Sequence, residues 1–280
     1  MDDAARARSS IDDAPALTAA QEIDEMTGDP NFMTSLARGL AVIRGFTQQK
    51  RTLTISQLSH RTGIPRAAVR RCLYTLQRLG YVGASDAKNF SLRPKILGLG
   101  HAYLSSTTLA TSAQPVLDHI SDELHESSSI ALLEGDEILY VARSSTTRRI
   151  MSVDLGIGTR LPAYCTSMGR VLLAHLPSAE LDGYFERVKL VAYTSRTVIA
   201  QDRLRKILDA IVRTGYAIVD QELELGLRSV AVPVRDLAGK VVAAMNIGTQ
   251  ASRITLVDLE RRLLPELQRA ARDLGASLLA

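Results

Sequence analysis

The chain of 280 residues contains no tryptophan, four phenylalanines, eight tyrosines and only two cysteines. Cys72 and Cys165 fall in separate segments without metal-ligand spacing, which excludes a cysteine zinc site and a disulfide framework. A reducing cytoplasm is the expected compartment. Long apolar runs are missing as well: no stretch of eighteen apolar residues occurs, so no membrane span is expected. The opening "MDDAARARSSIDDAPALTAA" has acids where a secretory signal needs bases, and it lacks an apolar core. There is no H-E-x-x-H, no P-loop and no G-x-S-x-G, and "GLGHAY" and "GIGTRL" lack the third glycine of a dinucleotide fingerprint. His119 and His125, six apart on a helical stretch, are not a metal-ligand pair, and Cys165 reads as a small buried residue. Nothing therefore implies catalysis, a metal or a cofactor.

The most informative absence is of negative charge. From Ile55 to Val82, "ISQLSHRTGIPRAAVRRCLYTLQRLGYV" holds five arginines, one histidine and no acid. Residues 1–30 carry eight acids and two bases, whereas residues 31–95 carry twelve Lys/Arg and one acid, Asp86. The remaining 185 residues, with twenty bases and twenty-one acids, are about neutral. Helical surfaces facing only water mix signs to gain i,i+4 pairs. A small module that concentrates one sign has the electrostatic footprint of a nucleic-acid binder. RNA recognition would need exposed aromatics to stack on bases. Only Tyr74, Tyr81 and Phe90 are available for that here, so DNA is favoured.

What is present fits that reading. "MTSLARGLAVIRGF" places Leu36, Leu40, Ile43 and Phe46 on one helical side. A short helix over about 56–62 follows, with Ser56 its expected N-cap, Leu58 inward and Gly63 its left-handed C-cap. Pro65 opens the next helix, which runs to about Leu79. Val69, Cys72, Leu73 and Leu76 form its buried face; Arg66, Ala67, Arg70, Arg71 and Tyr74 form the other. Two helices joined by a tight glycine-containing turn make a helix-turn-helix, whose second helix enters the major groove. Arg66, Arg70 and Arg71 are expected to reach the groove, while Ser56 and Gln57 are further DNA-contact candidates. "YVGASDAKNFSL" reads as a hairpin wing with Lys88 near its tip, and Arg61 and Lys88 are expected to hold phosphates.

The other two thirds alternate between periods of two and three to four, with hairpin signals at Gly135-Asp136 and Ala238-Gly239 and an expected kink or break at Pro265 in the final helix. Strands mixed with helices on one side predict an α+β domain. The expected layout is a disordered acidic tail over 1–30, a winged helix-turn-helix over 31–93, a linker helix over 94–110 and an effector-binding domain over 111–280. In "GIGTRLPAYCTSMGRVLLAHL", a loop leads into a helix whose free N–H groups suit an anion, although an ordinary capped helix reads equally well from spacing alone.

A family resemblance bears on that choice. "SLARGLAVIRGF", "LTISQLSHRTGIPRAAVRRCLYTLQRLGYV", "LPAYCTSMGRVLLAHL", "GYAIVDQELELGLRSVAVPVRD" and "AAMNIG", in this order from about Phe32 onward, resemble the IclR family of bacterial transcription regulators. "LPAYCTSMGRVLLA" is similar to its PcaR, PcaU and PobR branch, which regulates aromatic-acid catabolism through the β-ketoadipate pathway. The resemblance implies a GAF-like effector domain, a homodimer or tetramer, and a double-stranded DNA operator. It also implies a pocket for a small carboxylate effector built from the backbone of Ser167 and Met168 together with Ser229, Asn246 and Gly248. Some family members have an acid where this chain has Val219 and a cysteine where it has Ser229, so the pocket here is expected to be less acidic. Protocatechuate, 4-hydroxybenzoate and β-ketoadipate are the effectors implied. Two rival classes remain at this point. An enzyme with an appended DNA-binding domain would turn over such acids and lose turnover on Cys165→Ala. A nucleoid-type binder would lack sequence preference.

Overall fold

The computed structural model describes residues 18–47, 50–86, 88–144 and 155–278, and contacts divide the chain between Tyr103 and Leu104. In the N-terminal unit, α1 (Ala19–Glu25) starts at Thr18, whose hydroxyl accepts the Gln21 N–H while the Gln21 side chain accepts the Thr18 N–H. Its Ile23 is buried with Ala41 and Val42. This corrects the expectation of disorder across the acidic tail: residues 1–17 lie outside the described residues, but a reciprocal cap and one buried isoleucine give residues 19–25 a helix.

In α2 (Thr34–Arg44) the expected inward leucines face out. Leu36 is 57% and Leu40 49% exposed, whereas Ala41 and Val42 are buried. Small residues set the packing here. A Cβ on Gly45 would come within 2.8 Å of Leu58, so the end of α2 sits close against α3 (Ile55–Thr62). The N-cap of α3 is Thr54 and not Ser56. Thr54 has extended backbone and shares a capping box with Gln57, which places Ser56 inside the first turn. Gly63 ends α3 with φ +71, and α4 runs Arg66–Arg78. The strands β1 (Thr52–Leu53), β2 (Val82–Ala84) and β3 (Phe90–Leu92) form an antiparallel sheet in the order β1-β3-β2.

After a 3-10 turn at Pro94–Ile96, α5 (Leu97–Ser106) buries no residue. Extended backbone at Thr107 separates it from α6 (Thr108–Leu124). The expected boundary at residue 110 thus falls within α6, whose polar, low-bulk first turn reads as linker in sequence.

The C-terminal unit is built on six antiparallel strands in the order β6-β5-β4-β9-β8-β7. Their ranges are β4 Ser127–Glu134, β5 Glu137–Ser144, β6 Arg160–Pro162, β7 Ala217–Asp220, β8 Leu227–Arg235 and β9 Val241–Gln250. Helices cover both faces, which corrects the one-sided expectation, and the period of two along the strands shows why. Ala131, Ile138, Ala231 and Ala244 point to α7 (Ser167–Ala174), α8 (Ser178–Arg187) and α9 (Gln201–Thr214). Ile130, Val230, Val232 and Met245 point to α6 and the C-terminal helices. Those helices are α10 (Leu256–Asp258), a π segment (Leu259–Leu263) and α11 (Leu264–Ser277), with Pro265 in the first turn of α11, where its missing N–H costs little. Among the described residues no helix is long and apolar enough to cross a membrane, and no cluster of His, Cys, Asp and Glu could hold a metal ion.

Candidate functional site

Two groupings of polar side chains stand out among the described residues. The first is the outer face of α4. Val69, Leu73 and Leu76 are buried and Cys72 half-buried, which turns Arg66, Ala67, Arg70, Arg71 and Tyr74 to solvent, Tyr74 to 64%. Ile64, buried in the turn, anchors the N-terminus of α4, and the Ser59 hydroxyl donates to the Ile64 carbonyl at 2.7 Å. Among the described residues Arg61, Arg66, Arg70 and Arg71 form no ion pair, whereas Arg44 on α2 lies 4.0 Å from Glu22. Ser56 and Gln57 are exposed at the start of α3, with the Gln57 carbonyl oxygen committed to the cap and its amide nitrogen left to face outward. Lys88 is exposed in the turn between β2 and β3. There the Asn89 amide and the backbone N–H groups of Lys88 and Asn89 donate to Asp86 and hold its carboxyl below its ordinary value. The one acid of the basic module is thereby spent on shaping the wing.

The second place is a cavity on the α7 side of the large sheet. Strand register assembles its floor in two cross-strand rows. Arg143 lies opposite Ser129, Ser129 opposite Asn246, and Asn246 opposite Ala231. In the next row Ser127 faces Gly248, Gly248 faces Ser229, and Ser229 faces Val219. Strands about 4.8 Å apart make this second row roughly 14 Å long, enough to seat a small organic acid. At its centre a Cβ on Gly248 would meet no atom within 4 Å, so the floor is open there. The start of α7 forms the wall above, with Ser167 and Met168, while Leu155, Leu161, Leu223 and Leu227 close the sides. The free space is about 570 Å³ counted to the open mouth.

All five expected effector residues, Ser167, Met168, Ser229, Asn246 and Gly248, line this one cavity although they come from α7, β8 and β9. Three oxygens buried beside it have no hydrogen-bond partner among the described residues: Ser127 Oγ, Ser167 Oγ and Asn246 Oδ1. Thr166 caps α7 by accepting the Gly169 N–H at 3.2 Å. Two arginines, Arg143 and Arg160, flank this region in sequence; Arg143 lines the cavity and donates to Ser129 Oγ at 3.1 Å. Arg160 instead pairs with Glu137 at 2.7 Å and Glu134 at 3.4 Å. Burial pushes the Tyr140 hydroxyl and the Cys165 thiol, both in the lining, up to about 12, against the opposing pull of Arg143 and Arg170 respectively. Both groups are thus neutral near pH 7, and Cys165 is poorly suited to act as a nucleophile.

Sequence reasoning missed Ser127, Ser129 and Tyr140. The run "SSSI" held a signal: serines at i and i+2 of a strand share a face. Ser127 and Ser129 turn to the cavity, while Ser128 bonds Ser121 and the Leu117 carbonyl on the other side.

Comparison with known proteins agrees with this division. Residues 35–85 match the IclR helix-turn-helix domain, and residues 101–276 match the family "Bacterial transcriptional regulator IclR C-terminal". The chain is 58% identical to the Pca regulon regulatory protein of Pseudomonas putida, over 93% of this chain and 90% of that protein. It is 34% identical to the p-hydroxybenzoate hydroxylase transcriptional activator of Acinetobacter baylyi, over 87% of this chain and 91% of that protein. A crystal structure of a Rhodococcus sp. RHA1 transcriptional regulator superposes with a TM-score of 0.77 at 48% identity, covering 88% of this chain and 98% of that one. The inducer-binding domain of PobR from Acinetobacter, a double mutant in complex with 3-hydroxybenzoic acid, superposes with a TM-score of 0.55 at 31% identity. It covers 59% of this chain and 95% of that one. Those relatives are named as transcriptional regulators and not as enzymes. With both family domains present in order, the chain belongs to the IclR family of bacterial transcriptional regulators.

Proposed function

We propose that this regulator reads a DNA operator with α4 and answers to a small carboxylate with an apolar or aromatic body, seated in the sheet-floor cavity. The observation that carries the effector reading is the set of three buried oxygens without partners, Ser127 Oγ, Ser167 Oγ and Asn246 Oδ1, gathered at one cavity. Buried polar atoms are rarely left unpaired, because each costs about 1–3 kcal/mol. The two serine hydroxyls can donate to a carboxylate, whereas Asn246 Oδ1 only accepts and needs a ligand hydroxyl, so a hydroxylated acid removes that cost. The α7 start adds backbone donors, Arg143 adds positive charge, and Val219 in place of an acid leaves the wall free of like charge toward an anion. A sugar would need more side-chain partners than this floor offers. The relatives named for the pca regulon and for p-hydroxybenzoate hydroxylase, and the 3-hydroxybenzoic acid complex, point to the same ligand class.

Isothermal calorimetry of the full chain with protocatechuate, 4-hydroxybenzoate and β-ketoadipate tests the reading. At least one acid binds, and Ser229→Ala with Asn246→Ala weakens it by about 1–3 kcal/mol. Binding equal to wild type in the double variant would place the pocket elsewhere.

On DNA, Arg66, Arg70 and Arg71 serve the bases, while Arg61 and Lys88 serve phosphates, in the cytoplasm where the operator is. The working form is a homodimer or tetramer. Met33, Leu36 and Leu40 form an exposed apolar stripe on α2, and Leu97, Leu99 and Tyr103 are exposed on α5, an apolar helix with nothing buried. Such surface is covered in most stable proteins.

A further inference from the structure

The effector cavity draws on two segments far apart in sequence: Ser167 and Met168 at the start of α7, and Leu223 and Leu227 in and after the connection from β7 to β8. One buried ion pair joins them. Arg170, one turn into α7, is 2% exposed and Glu222 is 7% exposed. The guanidinium Nη1 and Nη2 donate to the two carboxylate oxygens, each at 2.6 Å. Its Nε donates to the Tyr164 carbonyl at 2.7 Å and so also holds the loop that leads into α7. Glu222 is gripped from a third side: the Val198 N–H donates to Oε2 at 2.9 Å, and the Thr197 hydroxyl donates to the Glu222 carbonyl at 2.6 Å. The preceding Gln221 has φ 63, a left-handed state that a side-chain-bearing residue keeps only when its surroundings hold it. On the other side of the first turn, a Cβ on Gly169 would collide with the Ala163 backbone, so α7 has no slack there.

A buried ion pair is an expensive way to fill space, since two apolar side chains of the same volume pack as well without desolvating charge. What the pair adds is geometry. A planar guanidinium bonded to both carboxylate oxygens sets orientation as well as distance. We propose that Arg170 and Glu222 are positioning residues for the effector, fixing the donors at the start of α7 against the sheet floor and the Leu223 side. This rests on the reading of the cavity as the effector site. Neither residue touches the ligand; both act through Ser167, Met168 and Leu223.

The test uses the full chain and calorimetry with protocatechuate, 4-hydroxybenzoate and β-ketoadipate, each beside its neutral amide. In Glu222→Gln and in Arg170→Lys, operator affinity without effector and affinity for the amide stay within about threefold of wild type. Affinity for the acid falls by about tenfold or more, because the misaligned donors matter most to the anion. General loosening would weaken acid and amide alike and would overturn the proposal. So would a gain in acid affinity in Glu222→Gln, the result expected if the pair acted by charge alone. Should neither variant fold, Thr197→Val decides: it removes the 2.6 Å bond to the Glu222 carbonyl and leaves the longer 3.4 Å bond from the Thr194 hydroxyl, without touching a buried charge, and acid-over-amide selectivity should drop about threefold. Unchanged selectivity there overturns the proposal. A wild-type chain that binds no acid removes the cavity reading and this proposal with it. A wild type that binds, weakened by Ser229→Ala with Asn246→Ala but with selectivity unmoved by the Glu222 and Arg170 variants, removes this proposal alone.

Discussion

The two units of the chain both leave polar groups unsatisfied, but in opposite directions. Around α4, arginines stand on the outside without an acid within ion-pair distance among the described residues. In the C-terminal unit several arginines are matched inside the chain, as Arg170 with Glu222, Arg228 with Asp220 and Arg253 with Glu126 show. Three groups left over there, Ser127 Oγ, Ser167 Oγ and Asn246 Oδ1, are neutral oxygens turned inward to one cavity. Unmatched charge on a convex face calls for a partner too large to enter the protein and rich in the opposite sign. Unmatched neutral oxygens lining a cavity call for a partner small enough to enter it. Where the deficit lies identifies the kind of ligand before any name does.

Salt should separate the two deficits by the widest margin. Each phosphate neutralised releases roughly 0.9 counterion, and a dimer with this basic module should show a log–log slope on the order of −5 or steeper for operator binding. Raising salt from 50 to 200 mM then lowers affinity about 1000-fold. Effector binding, made of short contacts in a closed site, should change by less than about threefold over the same range. A flat operator slope would break the comparison at its first term. Val219→Glu comes next in size. It sets a carboxylate in the cavity floor, and repulsion of a bound acid at about 5 Å with an effective dielectric near 20 amounts to roughly 3 kcal/mol, or about 100-fold. Operator binding in the absence of effector should be unmoved. Retained affinity for every acid would mean that Val219 does not face the ligand.

The N-terminal unit was legible in sequence because its signals are local. The buried and exposed faces of α4 lie within thirteen consecutive residues, so a helical period sorted them correctly. The same method failed on α2, where Ala41 and Val42 are buried and Leu36 and Leu40 face outward, a choice between faces that periodicity alone cannot make. The cavity was legible only in part. Ser127, Ser167, Ser229 and Asn246 are spread over more than a hundred residues, and only strand register brings them together. Family resemblance supplied Ser229 and Asn246, while Ser127, Ser129 and Tyr140 needed the sheet. Arg143 and Arg160 both flank the region in sequence, and the structure separates them by the acids beside Arg160.

Within the DNA-binding face, base and phosphate contacts should part company. Arg70→Ala or Arg71→Ala should cost about 1–3 kcal/mol on the operator and relax preference at one base pair. Lys88→Ala should weaken binding about equally on every sequence, measured by competition between operator and scrambled duplex. If both arginine variants keep the original preference, the face of α4 has been assigned about one position out of register.

The smallest effect concerns charge that is matched within the chain. Asp220 lies directly across from Arg228 on the neighbouring strand, with Arg228 Nε 2.8 Å from one carboxylate oxygen and Arg196 Nη1 3.0 Å from the other. Burial favours the neutral acid, but the bonds from Arg228 outweigh it, and the Asp220 carboxyl sits below its ordinary value. A depressed carboxyl stabilises the fold only while it is ionised. Its contribution is therefore full above the unfolded value of about 3.9 and is lost as pH falls through the lower folded value. Asp220→Asn should cost about 0.5–1 kcal/mol at pH 7, near 1–3 °C in thermal midpoint, and the gap from wild type should close as pH drops below about 4. Arg70→Ala, measured the same way, should change stability by less than about 0.5 kcal/mol at either pH, because that arginine has no partner to lose until DNA arrives. A gap for Asp220→Asn that is constant with pH would mean that packing, not charge, holds the end of β7. A pH-dependent loss for Arg70→Ala would mean that the basic face is matched within the chain after all.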